Sequence, residues 1–185
     1  MSRNSRLIHR AAVALATAGA LVALAVIPGL AGPELVAFPS YRGNDFVAIG
    51  TVDRPDRSPP QVRHFYINRT ALDAARPNQP FPSGTVLVME DRRAQLGPDG
   101  QPVRNADGLF VSTDQVVNVA VQEKRTGWGT GYPESQRNGE WEYAGFDPDG
   151  TRRSASTAPC FQCHMSRAGQ DFSFLVWHYI REQRR

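Results

Sequence analysis

Lysine occurs once in this 185-residue chain, at Lys124, so 20 of its 21 basic residues are arginine. Cysteine occurs twice. Two cysteines exclude a multi-bridge disulfide framework, and with no second Cys/His pair at ligand spacing they do not complete a closed zinc site. Past residue 30 no apolar run is long enough to cross a bilayer. An excess of one charge sign is also missing from the body of the chain. Removing residues 1–31 takes three arginines and no acidic residue, leaving 18 basic against 18 acidic side chains. A near-neutral domain gives no electrostatic case for nucleic acid or anionic lipid as a partner. Internal repeats and low-complexity tracts are absent too.

The first 31 residues read as an export signal. Arg3, Arg6 and Arg10 form a basic start, Ala11 to Ile27 is uncharged and apolar, and Pro28-Gly29 breaks the run before the small residues Ala31 and Gly32. Cleavage is expected after Ala31, which places the mature chain in the periplasm. The apolar run is 17 residues long, at the lower limit for a bilayer span, so an uncleaved inner-membrane anchor is the alternative. Residues 32–185 then form one domain, long enough for a real core.

Within that domain five short β-branched or aromatic runs predict strands: 46–52, 61–68, 85–90, 116–124 and 141–146. Thr70 is placed to cap a short helix that Pro77 ends, and Asp171 to cap a C-terminal helix carrying Phe172, Leu175, Val176, Tyr179 and Ile180 at helical spacing. Strands at short spacing with little helix between them favour antiparallel pairing over parallel crossovers. The expected class is therefore α+β and predominantly β, an antiparallel sheet of about five strands with a few short helices.

The chemistry gathers at Cys160-Phe161-Gln162-Cys163-His164. Two thiols one helical turn apart can add to the two vinyl groups of a porphyrin, while the adjacent imidazole ligates the iron. A redox dithiol, a zinc half-site and a structural disulfide are the competing readings. A redox dithiol would open a helix after a buried strand, whereas Thr151 to Pro159 reads as a polar loop. One covalent haem c is thus expected, held by Cys160 and Cys163 with His164 as the metal ligand. Only 21 residues follow His164, and Met165 is too close in sequence to reach the other side of the iron. Small helical electron carriers, with an N-terminal motif and a distal methionine downstream, are a poor fit. So is a four-helix bundle, given 16 glycines and 14 prolines.

Phe81 to Glu90, Val121-Gln122-Glu123, Gly139 to Tyr143, Cys160 to His164 and Asp171 to Phe174 resemble, in this order, the motifs of the cytochrome P-460 family, which includes the cytochromes c′-beta. The resemblance implies an antiparallel sheet, a homodimer and a largely five-coordinate haem on His164. Its relatives oxidise hydroxylamine or bind nitric oxide. The oxidising members join a lysine to the porphyrin, and Met89 stands at that position here, so Met89 is expected to contact the haem edge. Their distal glutamate matches Asn118, with Glu123 or Glu90 as substitutes. An Asn can hydrogen-bond a ligand but cannot act as a general base.

Other side chains weigh less. His64 and His178 are alternative iron ligands, more simply read as half-buried structural histidines, and Phe110, Trp128, Trp141 and Tyr143 are candidate pocket aromatics. The expected function is an exported mono-haem c-type cytochrome with an open distal site, binding or processing nitric oxide or a related nitrogen species. The alternatives are an oxidoreductase acting on hydroxylamine, nitric oxide or peroxide, and a plain electron carrier with an unspecified redox partner.

Overall fold

A computed structural model describes residues 31–183. Of the expected signal segment, all but Ala31 lies outside the described residues. Five strands, β1 (Phe46–Arg54), β2 (Gln61–Asn68), β3 (Val86–Ala94), β4 (Ser112–Lys124) and β5 (Trp141–Phe146), pair antiparallel in sequence order as a single sheet. Helices α1 (Arg69–Ala74), α2 (Ala158–Met165) and α3 (Val176–Gln183) complete a predominantly β α+β fold. Among the described residues no helix is long and apolar enough to cross a membrane.

β3 and β4 extend beyond the apolar alternation. Asp91 to Ala94 continue β3 through a charged stretch, held by a cross-strand pair in which Arg63 Nε donates to Asp91 Oδ1 at 2.7 Å. α1 follows Asn68 directly rather than a Thr70 cap. The Asn68 side chain instead ties two strands, donating to Gly84 O at 3.0 Å and accepting from Val86 N at 2.8 Å. Asp171 does not cap α3, which begins five residues later. It adopts a left-handed conformation (φ 49°) and pairs with Lys124.

Strand alternation gives the sheet two buried faces. On one, Val88, Val119, Val121, Ala144 and Phe146 pack under the N-terminal segment through Val36 and Tyr41. This is the N-terminal face. The other, the helix face, buries Ile49, Ile67, Trp141 and Tyr143 against Phe161 of α2 and Val176, Trp177 and Ile180 of α3. Trp177 stacks on Phe81 with ring centroids 4.4 Å apart, and its Nε1–H donates to Gln170 O at 2.9 Å. Each such buried side chain stabilises by roughly 1.5–3 kcal/mol, which anchors α3 and, through Phe161, α2.

Cross-strand register divides the helix face into rows. Val47, Ile67, Leu87, Gln122 and Tyr143 form one row, which meets Phe161 of α2 through Tyr143. Gly50, Phe65, Met89, Ala120 and Gly145 form the second, and Val52, Arg63, Asp91 and Asn118 the third. A bulge at Ile49 shifts the register of β1 and brings Gly50 opposite Phe65.

Candidate functional site

Pro159 near the start of α2 fixes the backbone dihedral the helix needs without removing a hydrogen bond. Cys160 and Cys163 follow three residues apart, hence on one side of the helix. They are not joined in a disulfide; Cys160 is partly buried and Cys163 exposed. Among the described residues no group of three or more His, Cys, Asp or Glu could hold a metal ion, which leaves a zinc half-site without its other half. Phe161, between the thiols, points inward and meets Tyr132 and Tyr143 edge-on at 5.1 and 4.7 Å. Asn138 Nδ2 donates to Phe161 O at 3.1 Å and to Tyr143 Oη at 2.9 Å.

The His164 ring lies against Tyr143 (4.9 Å) and perpendicular to Phe174 (5.0 Å). Its Nδ1–H donates to Phe172 O at 2.6 Å. That bond fixes the tautomer and leaves the Nε2 lone pair for a metal. Burial pushes the imidazole below its ordinary pKa and so favours the neutral, ligating form. A carbonyl partner for Nδ1 is the usual device behind a metal-bound histidine.

The second row offers a platform beside the motif. Phe65, Met89 and Ala120 are only half-buried, and glycines at both ends of the row keep the relief low. Leu175 lies near its β1 end, at 3.7 Å from where a Cβ on Gly50 would be. A flat apolar ring system suits such a strip, while two thiols and an imidazole on α2 suit a porphyrin's vinyl groups and its iron. The donor set therefore fits haem, with Cys160, Cys163 and His164 to hold it.

Met89 lies on this platform. Asn118 lies one row further out on the same face, where its Oδ1 accepts from Arg153 Nη1 at 2.6 Å and leaves its amide N–H groups to donate. Glu123 is not brought to the site. Alternation puts it on the N-terminal face with Val119 and Val121, 2.7 Å from Arg125. Glu90 is on that opposite face too, fully buried, accepting from Tyr41, from Arg42 (2.6 Å) and from Arg92 (2.5 Å). Burial pushes its carboxyl up, but those three donors outweigh burial and hold it below its ordinary pKa.

The remaining candidates sort by face. His64 is paired with Glu90 in the register and so faces away from α2. His178 is exposed and meets Glu182 at 3.0 Å, a correction to the half-buried place expected for it. Of the four aromatics only Tyr143 touches His164. Trp141 is core, Trp128 packs on the N-terminal face, and Phe110 clusters with Val62 and Ala94. Sequence reasoning missed Phe65, Gln122 and the Phe172 carbonyl. Counting alternate residues along β2 and β4 would have found the first two, but nothing in the residue type marks a backbone carbonyl.

A family model described as cytochrome P-460 matches residues 39–175. That span begins before β1 and ends just before α3, taking in all five strands and α2. No curated protein matches the sequence.

Proposed function

Because the chain belongs to the cytochrome P-460 family and is thus a haem-binding cytochrome, we propose that it is an exported mono-haem c-type cytochrome. In this reading Cys160 and Cys163 hold the haem covalently, His164 is its proximal ligand, and the open side takes nitric oxide or a related small nitrogen species. The observation that carries this is the 2.6 Å hydrogen bond from His164 Nδ1 to Phe172 O, which prepares one imidazole nitrogen for iron on the side of a half-open apolar platform. Haem supplies there an iron that can bind a diatomic ligand.

The chain's own residues favour binding over proton-coupled oxidation. Met89 stands at the position of the cross-linking lysine, and a thioether forms no such bond to a porphyrin. Asn118 can donate to a bound ligand but takes no proton near neutral pH. Asp91, the carboxylate beside it on this face, is held bidentate by Arg63 at 2.7 and 2.9 Å, which opposes its use as a base.

Optical and resonance Raman spectra of the ferric and ferrous protein, with and without nitric oxide, test the proposal. Expected are haem that stays with the polypeptide through acid-acetone extraction, a high-spin ferrous form and nitric oxide binding. Steady hydroxylamine oxidation with an artificial acceptor is expected to be slow or absent, since losing general-base help costs ~10²–10⁴-fold in rate. A low-spin ferrous form with two protein ligands, or rapid hydroxylamine turnover, would overturn it.

A further inference from the structure

The Phe172 carbonyl that accepts the His164 hydrogen bond also accepts a second one. Gln122 Nε2 donates to the same oxygen at 3.0 Å, from the row that β4 shares with Tyr143. A carbonyl oxygen has two lone pairs, so both bonds form at once, and each donor draws on the electron density the other uses. Gln122 is 7% exposed, and among the described residues its side chain makes one other hydrogen bond, a long 3.4 Å one to Tyr143 Oη.

The carbonyl is held in place by its surroundings. Asp171 and Phe172 both have left-handed backbones, φ 49° and 56°, which costs a non-glycine residue of order 1–3 kcal/mol each and requires external support. Lys124 Nζ and the Phe81 N–H both bond Asp171 Oδ2, at 2.8 and 2.7 Å. Phe172 N donates to Arg167 O at 2.8 Å, and its ring closes over Gly139, whose added Cβ would sit 3.2 Å from it. A turn fixed at this many points cannot drift to favour one donor over the other.

We propose that Gln122 is a positioning residue that tunes His164 through the shared Phe172 carbonyl. This rests on the reading of His164 as the proximal ligand. A carbonyl accepting from imidazole alone draws the Nδ1 proton more strongly, makes Nε2 a better donor and stabilises ferric iron. Gln122 holds part of that acceptor strength back. It thereby raises the reduction potential and weakens the iron–imidazole bond, the direction that favours a ferrous, ligand-accepting iron.

Gln122→Met and Gln122→Glu test this on the haem-loaded protein. Methionine matches the volume without a donor, and glutamate matches the shape while reversing it. In both variants the ferric form should gain over the ferrous, each tenfold gain lowering the potential by about 59 mV for a one-electron couple, and the iron–imidazole stretching band should move to higher frequency. A purely structural role for Gln122 would lower the melting temperature without moving that band. An unchanged potential and band in either folded variant, or a raised potential, would overturn the proposal. A wild-type spectrum with no iron–imidazole band, unaltered by His164→Ala, would instead sink the proximal-ligand reading itself.

Discussion

Replacing Lys124 by methionine isolates the one lysine of the chain. Its side chain is 7% exposed and its partner Asp171 12%, with 2.8 Å between Nζ and Oδ2. Nζ also lies 5.6 Å from the centre of the Trp141 ring. Methionine keeps most of the apolar stem and its packing on Trp141, so the loss is mainly electrostatic. Asp171 would keep the Phe81 N–H but lose its counter-ion in a water-poor setting. Removing one member of a buried pair costs about 3–5 kcal/mol. For a domain of this size that corresponds to a fall in melting temperature on the order of 10 °C. Urea and thermal unfolding of the haem-loaded protein, followed by far-ultraviolet circular dichroism, measure it. Lys124→Met/Asp171→Asn removes both charges and should regain most of the loss, giving a coupling well above the scatter for independent sites. A Lys124→Met variant within 1 kcal/mol of wild type, or a double variant that loses the sum of the singles, would refute the reasoning.

Two buried carboxyls on the N-terminal face predict opposite pH behaviour. Burial raises the pKa of Glu142, which is fully buried with Oε2 accepting from Tyr132 at 3.1 Å. The folded state therefore holds that proton more tightly, and its contribution to stability falls as pH rises from the unfolded carboxyl value of about 4.3 through the folded one. Glu142→Gln should melt at the same temperature as wild type near pH 4 and higher at pH 8; a lower melting point at pH 8 would contradict this. Glu90 is shifted down, so its contribution is present above the unfolded pKa and disappears as pH falls through the folded value. Glu90→Gln should cost about 3 kcal/mol at pH 7, near the low end for a buried pair because Arg42 is half-exposed. An acid-unfolding curve unaltered by the substitution would show that the arginines find other partners.

Much of the candidate site was legible because its proposed chemistry is written in adjacent residue types. Cys160, Cys163 and His164 need only a helix to present them, and β-branched or aromatic runs marked all five strands. Charge hid the rest. Arg92 and Arg93 carry β3 beyond the apolar pattern because Asp91 has a cross-strand partner, and that partner is visible only once the strands are in register. Glu123 and Asn118 are an odd number of residues apart on one regular stretch of strand, so alternation alone separates them, one to each face. Asp171 has the residue type of a helix cap, yet its carboxylate meets Lys124 from a strand 47 residues away, a contact that outranks the local one. The place of Phe172 depends on its backbone oxygen, and side-chain identity carries no trace of it.

Because every strand neighbours the one before it, the sheet can assemble progressively as the chain is made, each new strand pairing with the one already in place. The cysteines come after the fifth strand. The second-row platform on the sheet can therefore exist before either thiol has been synthesised. α2 is eight residues long and has Phe161 as its one buried side chain, so it can lift away while the sheet stays paired. Under the proposed covalent attachment both sulfurs would then be reachable at once, and reseating Phe161 would return the segment to a surface already shaped to receive it.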